Sequence, residues 1–185
     1  MPEQHFGDSN YIRLVLIHIG LGFLIYFIPF SSTIYFVAAM LYFLIAIIRA
    51  PTNSKTQYVL LGCAYFTGAE VLFRMTKGGL SYEASKYLVI VFVIIGMFFK
   101  GISGKGYPYF IYLILLVPAI VVASMTLSFD ARFRTNIAFV LSGPVCLGMA
   151  ALFCYDRKVM HRQLMDVLLY MVLPIITTTT YLFLY

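Results

Sequence analysis

Seven apolar blocks divide this chain, and its polar residues lie mainly in the short connections between them. A helix needs about 20 apolar residues to cross the hydrocarbon core of a bilayer. The blocks are apolar on every side, whereas the strands of a transmembrane β-barrel alternate apolar and polar residues. The sequence therefore predicts an all-α, polytopic membrane helix bundle with about seven transmembrane helices. These are expected at 12–30, 34–48, 57–73, 84–99, 109–127, 137–153 and 164–185.

The composition excludes an ordinary soluble domain. Hydrophobic residues make up 62% of the chain and charged residues 11%, and the mean hydropathy is +0.94. Soluble proteins carry about 25% charged residues, which cover their surface. The net charge of +6 comes from basic residues placed singly in loops, so no nucleic acid is expected as a partner. All three cysteines lie inside apolar blocks, which argues against a disulfide framework.

We expect residues 1–11 to form a short cytoplasmic tail and residues 12–185 a single transmembrane helical domain. The first apolar block has no basic region before it and leads straight into more apolar sequence, so it is interpreted as a membrane helix rather than a cleaved signal. The last block is still hydrophobic at Tyr185. This pattern predicts a domain that is incomplete at its C-terminus.

The distribution of basic residues predicts the orientation. If seven helices cross, eight lysines and arginines lie on the side of the N-terminus and five lie on the other. The first group is Arg13, Arg49, Lys55, Lys100, Lys105, Arg157, Lys158 and Arg162; the second is Arg74, Lys77, Lys86, Arg132 and Arg134. Cytoplasmic loops carry the excess of Lys and Arg. We therefore predict a cytoplasmic N-terminus.

Charged side chains at the ends of the third and fourth helices predict structural ion pairs. Glu70 and Arg74 are four residues apart and share one helix face, with the acid before the base. Glu83 lies three residues before Lys86, and Lys86 is expected to pair with Glu83 or with Glu70. Ser81 is the predicted N-cap of the fourth helix.

The outer basic residues are also candidates for an anion site. Arg132 and Arg134 flank Phe133 in the connection between the fifth and sixth helices. Guanidinium groups bind phosphate oxygens in a bidentate manner. With Arg74 and Lys77 they would form a basic pocket just above the bilayer. The alternative is that these residues are solvated near lipid headgroups.

The sequence shows no catalytic or metal-binding constellation. The histidines are far apart, and no carboxylate has metal-ligand spacing to any of them. His18 lies well inside the first helix, where a buried, neutral, hydrogen-bonded histidine is expected rather than a proton relay. We assign no catalytic residue, no metal ligand and no cofactor. Kinks are expected at Pro118 and Pro174, and the hydroxyls of Thr177–Thr180 are expected to bond to carbonyls one turn earlier.

Several stretches resemble the N-terminal half of bacterial O-antigen ligase and polymerase-like membrane proteins. They are Gly68-Ala-Glu-Val-Leu-Phe-Arg-Met-Thr76, Tyr82-Glu-Ala-Ser-Lys-Tyr87, Asn136-Ile-Ala-Phe-Val-Leu-Ser-Gly-Pro144, and Pro174-Ile-Ile-Thr177 before the terminal Tyr-Leu-Phe-Leu-Tyr185. The resemblance covers most of the chain from the third helix onward.

This resemblance implies a metal-independent glycosyltransferase of the bacterial inner (cytoplasmic) membrane. Such enzymes transfer glycans from an undecaprenyl-diphosphate carrier in cell-envelope polysaccharide synthesis, including lipopolysaccharide. The expected partners are membrane lipid, the carrier-linked glycan and envelope glycan-assembly proteins. Family members are about twice as long, and their catalytic loop lies beyond the last residue here. Enzymatic activity is therefore left open. Arg74, Arg132 and Arg134 are the best candidates for binding the carrier diphosphate.

Two other functions remain open at this point. One is a non-catalytic membrane partner of a polysaccharide assembly complex. The other is a small seven-helix transporter, although the chain shows no internal repeat and its charges lie at helix ends, unlike the paired halves of many transporters.

Overall fold

The structure is a computed structural model that describes residues 8–126 and 131–185, with side chains at 11–123, 125 and 137–185. It is 84% helical, with no strand among the described residues. The helices are α1 (Asp8–Phe27), α2 (Ser31–Arg49), α3 (Lys55–Thr76), α4 (Ala84–Lys100), α5 (Tyr107–Leu115), α6 (Val117–Thr126), α7 (Ala131–Cys154) and α8 (His161–Leu184). A single 3-10 turn, Gly104–Gly106, precedes α5.

Five helical segments in the described part of the chain are long and apolar enough to cross a membrane. They are Ser31–Arg49, Lys55–Thr76, Gly104–Ala123, Ile137–Cys154 and His161–Leu184. The apolar part of α1, Tyr11–Phe27, is shorter, and α4 has 17 residues. The chain is thus an all-helical membrane protein with several spanning helices. The second helix, Ser31–Arg49, extends beyond the predicted 34–48 at both ends.

Helix α8 packs most closely against α3 and then against α1. Gln57 near the start of α3 contacts Asp166 near the start of α8, and Gly68 further along α3 lies against Met171 and Pro174. Residues later in α3 thus contact residues later in α8, so the two helices are parallel. A Cβ at position 68 would collide with the carbonyl oxygen of Met171, so glycine is what permits this close approach.

The remaining helices alternate in direction. Gly22 of α1 faces Thr180, one turn beyond the contact of His18 with Thr177, so α1 runs parallel to α8. Helix α2 runs antiparallel to α3, since Ser32 at the start of α2 contacts Thr76 at the end of α3. Helix α4 is also antiparallel to α3, because Val89 contacts Cys63, whereas Gly96, further along α4, lies against Val59, which is earlier in α3. Helix α7 is parallel to α4.

Aromatic side chains fill the space between α2, α3 and α4. Phe36, Phe66 and Phe92 are completely buried, and Phe43 lies among them. Phe36 and Phe66 meet edge to face with ring centroids 5.7 Å apart, as do Phe66 and Phe92. In a lipid environment such close packing, rather than exclusion of water, holds helices together.

One local prediction is wrong: Ser81 does not cap α4, because the helix begins at Ala84 and no side chain caps it. Pro174 lies inside the continuous helix α8, and the fifth segment breaks at Leu116, two residues before Pro118, into α5 and α6. Three of the threonine hydroxyls, at 178–180, bond to carbonyls four residues earlier, as predicted.

Lys55 is not the exposed loop residue that the orientation count assumes. It is buried, and its ammonium donates to the carbonyl oxygens of Ile47 and Ile48 at 3.1 and 3.0 Å. It also lies 3.8 Å from the centre of the Phe99 ring. Lys55 therefore satisfies the last carbonyls of α2, where the negative end of the helix dipole favours a cation.

Candidate functional site

Four charged side chains meet where α3 ends and α4 begins; we call this the ion-pair end of the bundle. Arg74 Nη2 lies 2.6 Å from Glu70 Oε1 and 2.9 Å from Glu83 Oε1. Lys86 Nζ lies 2.7 Å from Glu83 Oε2 and 3.8 Å from Glu70 Oε1. The spacing of four along α3 and of three at the start of α4 places each pair on one helix face. The connection between the helices then joins the two pairs.

Glu83 is the centre of this network. It is only 5% exposed and accepts hydrogen bonds from Arg74, Lys86 and the hydroxyl of Ser142, the last at 3.0 Å. Because Ser142 belongs to α7, the network joins α3, α4 and α7. A buried carboxylate is costly unless it is paired and hydrogen-bonded, and Glu83 satisfies both conditions.

The turn after α3 brings these residues together. Lys77 adopts a left-handed conformation with φ of 54° and ends the helix. Gly78 then packs so closely on Ser32 that a Cβ would collide with it. The Ser32 hydroxyl lies 2.6 Å from the Thr76 hydroxyl, which fixes the start of α2 against the end of α3.

Arg74 is held from several directions. Its guanidinium carbon lies 4.6 Å from the centre of the Tyr82 ring, in addition to its two carboxylate contacts. Its buried Nε has no hydrogen-bond partner among the described residues. Glu70, Arg74 and Lys86 are each between 21% and 25% exposed. These three side chains are therefore partly accessible, whereas Glu83 is enclosed.

The two acids and two bases neutralise each other, which changes the interpretation of the basic pocket predicted from sequence. Arg74 is engaged by carboxylates and is not a free cation. Lys77 is exposed, with no ion pair within the part of the chain described. The structure places Arg132 and Arg134 in the first turn of α7, but their side chains lie outside the described residues. Of the four predicted anion-binding residues, the structure thus describes the side chains of Arg74 and Lys77 alone.

Acid should destabilise this end of the protein. Burial raises the pKa of Glu83, but hydrogen bonds from Lys86 and Ser142 and the charges of Arg74 and Lys86 outweigh it and lower the pKa below its usual 4.5. A carboxyl group with a lowered pKa stabilises the fold above its ordinary pKa, and this contribution is lost as pH falls through the folded value. We expect the melting temperature to fall below pH 4.5. Melting curves of the Glu83→Gln variant over the same pH range should show a shallower dependence, and an equal slope would contradict the assignment.

A second polar network lies in the interior, between α1, α2, α3 and α8. His18 Nδ1 donates to the carbonyl oxygen of Leu14 at 2.8 Å, so Nε2 of the neutral ring accepts from Tyr65 at 3.0 Å. The Tyr65 hydroxyl lies 2.6 Å from that of Tyr35, and Thr177 donates to the His18 carbonyl oxygen at 3.1 Å. His18 is buried, and its geometry is that of the hydrogen-bonded histidine expected from the sequence.

Sequence reasoning missed one partner in the first network, Ser142, and the two tyrosines of the second, Tyr35 and Tyr65. Ser142, Tyr35 and Tyr65 lie in apolar blocks that carry many hydroxyl groups, and spacing along the chain gives no sign of which ones meet. The one available signal was His18 itself, since a histidine inside an apolar helix requires hydrogen-bonding partners.

No group of three or more His, Cys, Asp or Glu side chains in the described part of the chain is arranged to hold a metal ion. Comparisons of the chain with protein-family models, with curated proteins and with solved structures find no match. The resemblance to O-antigen ligases therefore depends on the sequence motifs alone.

Proposed function

We propose that this chain is the N-terminal transmembrane part of an O-antigen ligase or polymerase-like glycosyltransferase, and that its ion-pair end holds the diphosphate of an undecaprenyl-linked glycan. One observation carries the proposal. Three stretches with the resemblance are separate in sequence, and each contributes to the same network: Glu70 and Arg74 come from the first, Glu83 and Lys86 from the second, and Ser142 from the third. Such convergence is expected of a functional site.

The network suits exchange of one anion for another. Glu83 is enclosed and holds Arg74 and Lys86 in place, whereas Glu70 contacts both cations and is itself partly exposed. A diphosphate oxygen would displace Glu70 and take over its contacts. A preorganised guanidinium and ammonium would then stabilise negative charge on the departing carrier diphosphate during transfer.

Other basic residues would extend the site outward. Lys77 is exposed at the end of α3. The helical backbone of α7 places Arg134 and Arg132 eight and ten residues before Ser142, which corresponds to about 12 and 15 Å along the helix axis. We propose that these arginines contact the more distant phosphate or the first sugars, rather than the phosphate bound by Arg74.

The proposal includes seven crossings and a cytoplasmic N-terminus. Support comes from the alternating directions of the helices, since α1, α3 and α8 are parallel and α2 and α4 run the other way. We propose that α1 and α4 also cross and that α5 and α6 cross as one bent segment. The ion-pair end then faces the outer side of the inner membrane, where the five outer basic residues lie.

Binding of a photoreactive undecaprenyl-diphosphate analogue to the purified chain tests the site. Arg74→Gln should weaken binding about 10- to 100-fold, because a charge-assisted hydrogen bond contributes about 1.5–3 kcal/mol. Glu70→Gln should tighten binding several-fold, since it removes the competing carboxylate. Arg49→Gln, at the other end of the bundle, is the matched charge control and should bind normally. Weaker binding by Glu70→Gln would overturn the exchange.

The same assay tests the outer arginines. Replacing both Arg132 and Arg134 with alanine should weaken binding of the analogue while expression stays unchanged. Unaltered binding would remove these two residues from the site without affecting the role of Arg74.

A further inference from the structure

A polar cavity of about 290 Å³ opens at the opposite end of the bundle. It lies between the start of α3, the end of α4 and the connection from α7 to α8, and we call it the basic-end pocket. Its lining residues are Asn53, Thr56, Gln57, Leu60, Lys100, Asp156, Arg157, Lys158, Val159 and Gln163. Eight of these ten are polar, which is unusual for a cavity in so apolar a chain.

The positive charge in this pocket is not neutralised. Lys100, Arg157 and Lys158 face a single carboxylate, Asp156, which gives the lining a formal charge of +2. Within the described part of the chain, neither lysine makes a hydrogen bond or an ion pair, and no carboxylate oxygen lies within 4.0 Å of Arg157. At the ion-pair end, by contrast, Arg74 and Lys86 each contact a carboxylate.

The pocket wall is held in place by neutral groups. Arg157 donates to the carbonyl oxygens of Phe153 and Gly101, the latter at 2.7 Å, so its position is set while its charge stays uncompensated. Ser103 donates to Asp156 at 3.2 Å, which occupies one carboxylate oxygen and ties the two loops together. The pocket therefore has a fixed arginine between two adaptable lysines.

Two helices begin at the pocket. Gln57 lies in the first turn of α3, and Gln163 in the first turn of α8. Gln57 donates to Asp166 at 3.1 Å, which links the start of α3 to α8, and within α8 Gln163 accepts from the backbone N–H of Met160 at 3.0 Å. The positive ends of both helix dipoles add to the charge of the three cations.

We propose that the basic-end pocket binds a phosphate group. Converging cations, amide side chains and helix N-termini are the chemistry that recognises phosphate oxygens. The pocket lies at the end of a membrane-spanning bundle, at the level of lipid headgroups, where basic pockets bind anionic lipids. The phosphate belongs either to an anionic phospholipid or to a soluble phosphate compound. The proposal is independent of the carrier site at the other end.

Two probes distinguish these sources: phosphatidylglycerol, with phosphatidylcholine as reference, and inorganic phosphate. The full chain, purified in detergent without phosphate, is titrated with each lipid by native mass spectrometry and with inorganic phosphate by calorimetry. Preference for phosphatidylglycerol alone identifies a lipid site. Binding of inorganic phosphate, with displacement of the lipid, identifies a soluble ligand. Binding of neither phosphatidylglycerol nor phosphate overturns the proposal.

The decisive variant is Lys100→Gln with Lys158→Gln. Each lysine near a phosphate contributes about 1 kcal/mol, so this pair should weaken binding about 10- to 30-fold. The control is Arg49→Gln with Lys105→Gln, which removes two exposed charges at the same end but outside the pocket. Equal losses in both would mean attraction to surface charge in general and would overturn the site. Lys100→Arg with Lys158→Arg should retain binding, and its circular dichroism should match that of the native chain.

Discussion

Alanine at position 68 is expected to separate α3 from α8 and to destabilise the protein strongly. The new Cβ would overlap the carbonyl oxygen of Met171 and come within 3.1 Å of Pro174 Cγ. The first of these atoms belongs to a helix backbone, which cannot rotate away as a side chain can. Overpacking of this kind costs about 3 kcal/mol.

Gly20→Ala is the matched control for Gly68→Ala. Both changes place alanine within a helix, but no atom lies within 4 Å of a Cβ at position 20. Alanine is favoured over glycine in a helix by about 1 kcal/mol, so this control should melt at or above the native temperature. Thermal unfolding is followed by circular dichroism, because the chain has no tryptophan for fluorescence. Equal melting temperatures for the two variants would contradict the close packing of α3 on α8.

Removing the charge of Glu83 is expected to have the second largest effect. Glu83→Gln leaves Arg74 and Lys86 with only Glu70 as a carboxylate partner, at the partly buried ion-pair end. Breaking a fully buried pair costs about 3–5 kcal/mol, and the partial exposure of both cations reduces this to about 2–3 kcal/mol. The variant should melt lower than the native chain at neutral pH.

The comparison with Glu70→Gln makes this prediction specific. Glu70 contacts the same two cations but is 23% exposed, and surface ion pairs contribute about 1 kcal/mol or less. Glu70→Gln should therefore remain close to native stability, which also makes it suitable for the carrier-binding assay. If the two glutamine variants melted at the same temperature, Glu83 would not be the centre of the network.

The sequence predicted helix positions well, because an apolar block can satisfy its own backbone hydrogen bonds in a bilayer only as a helix. The Glu70–Arg74 pair could also be predicted, since residues four apart on a helix meet whatever surrounds them. The contacts of Glu83 with Arg74 and Ser142 could not be predicted, because they depend on the turn at Lys77 and on how α7 packs. Pattern reasoning likewise treated Lys55 as a loop charge, since the buried carbonyls that bind it belong to another helix.

The packing of α8 against both α1 and α3 has a consequence for biogenesis. Helices enter the membrane in the order of their synthesis, so α1 and α3 are in place before α8 is made. Thr177 and His18 are 159 positions apart, and the helix surfaces around Gly22 and Gly68 pack against the same helix, α8. These surfaces of α1 and α3 must therefore remain unpaired, or be shielded by the insertion machinery, until α8 leaves the ribosome. Assembly of this bundle thus includes a docking step inside the bilayer, and a nascent chain arrested before residue 161 would present an unfilled groove to lipid and to quality-control proteases.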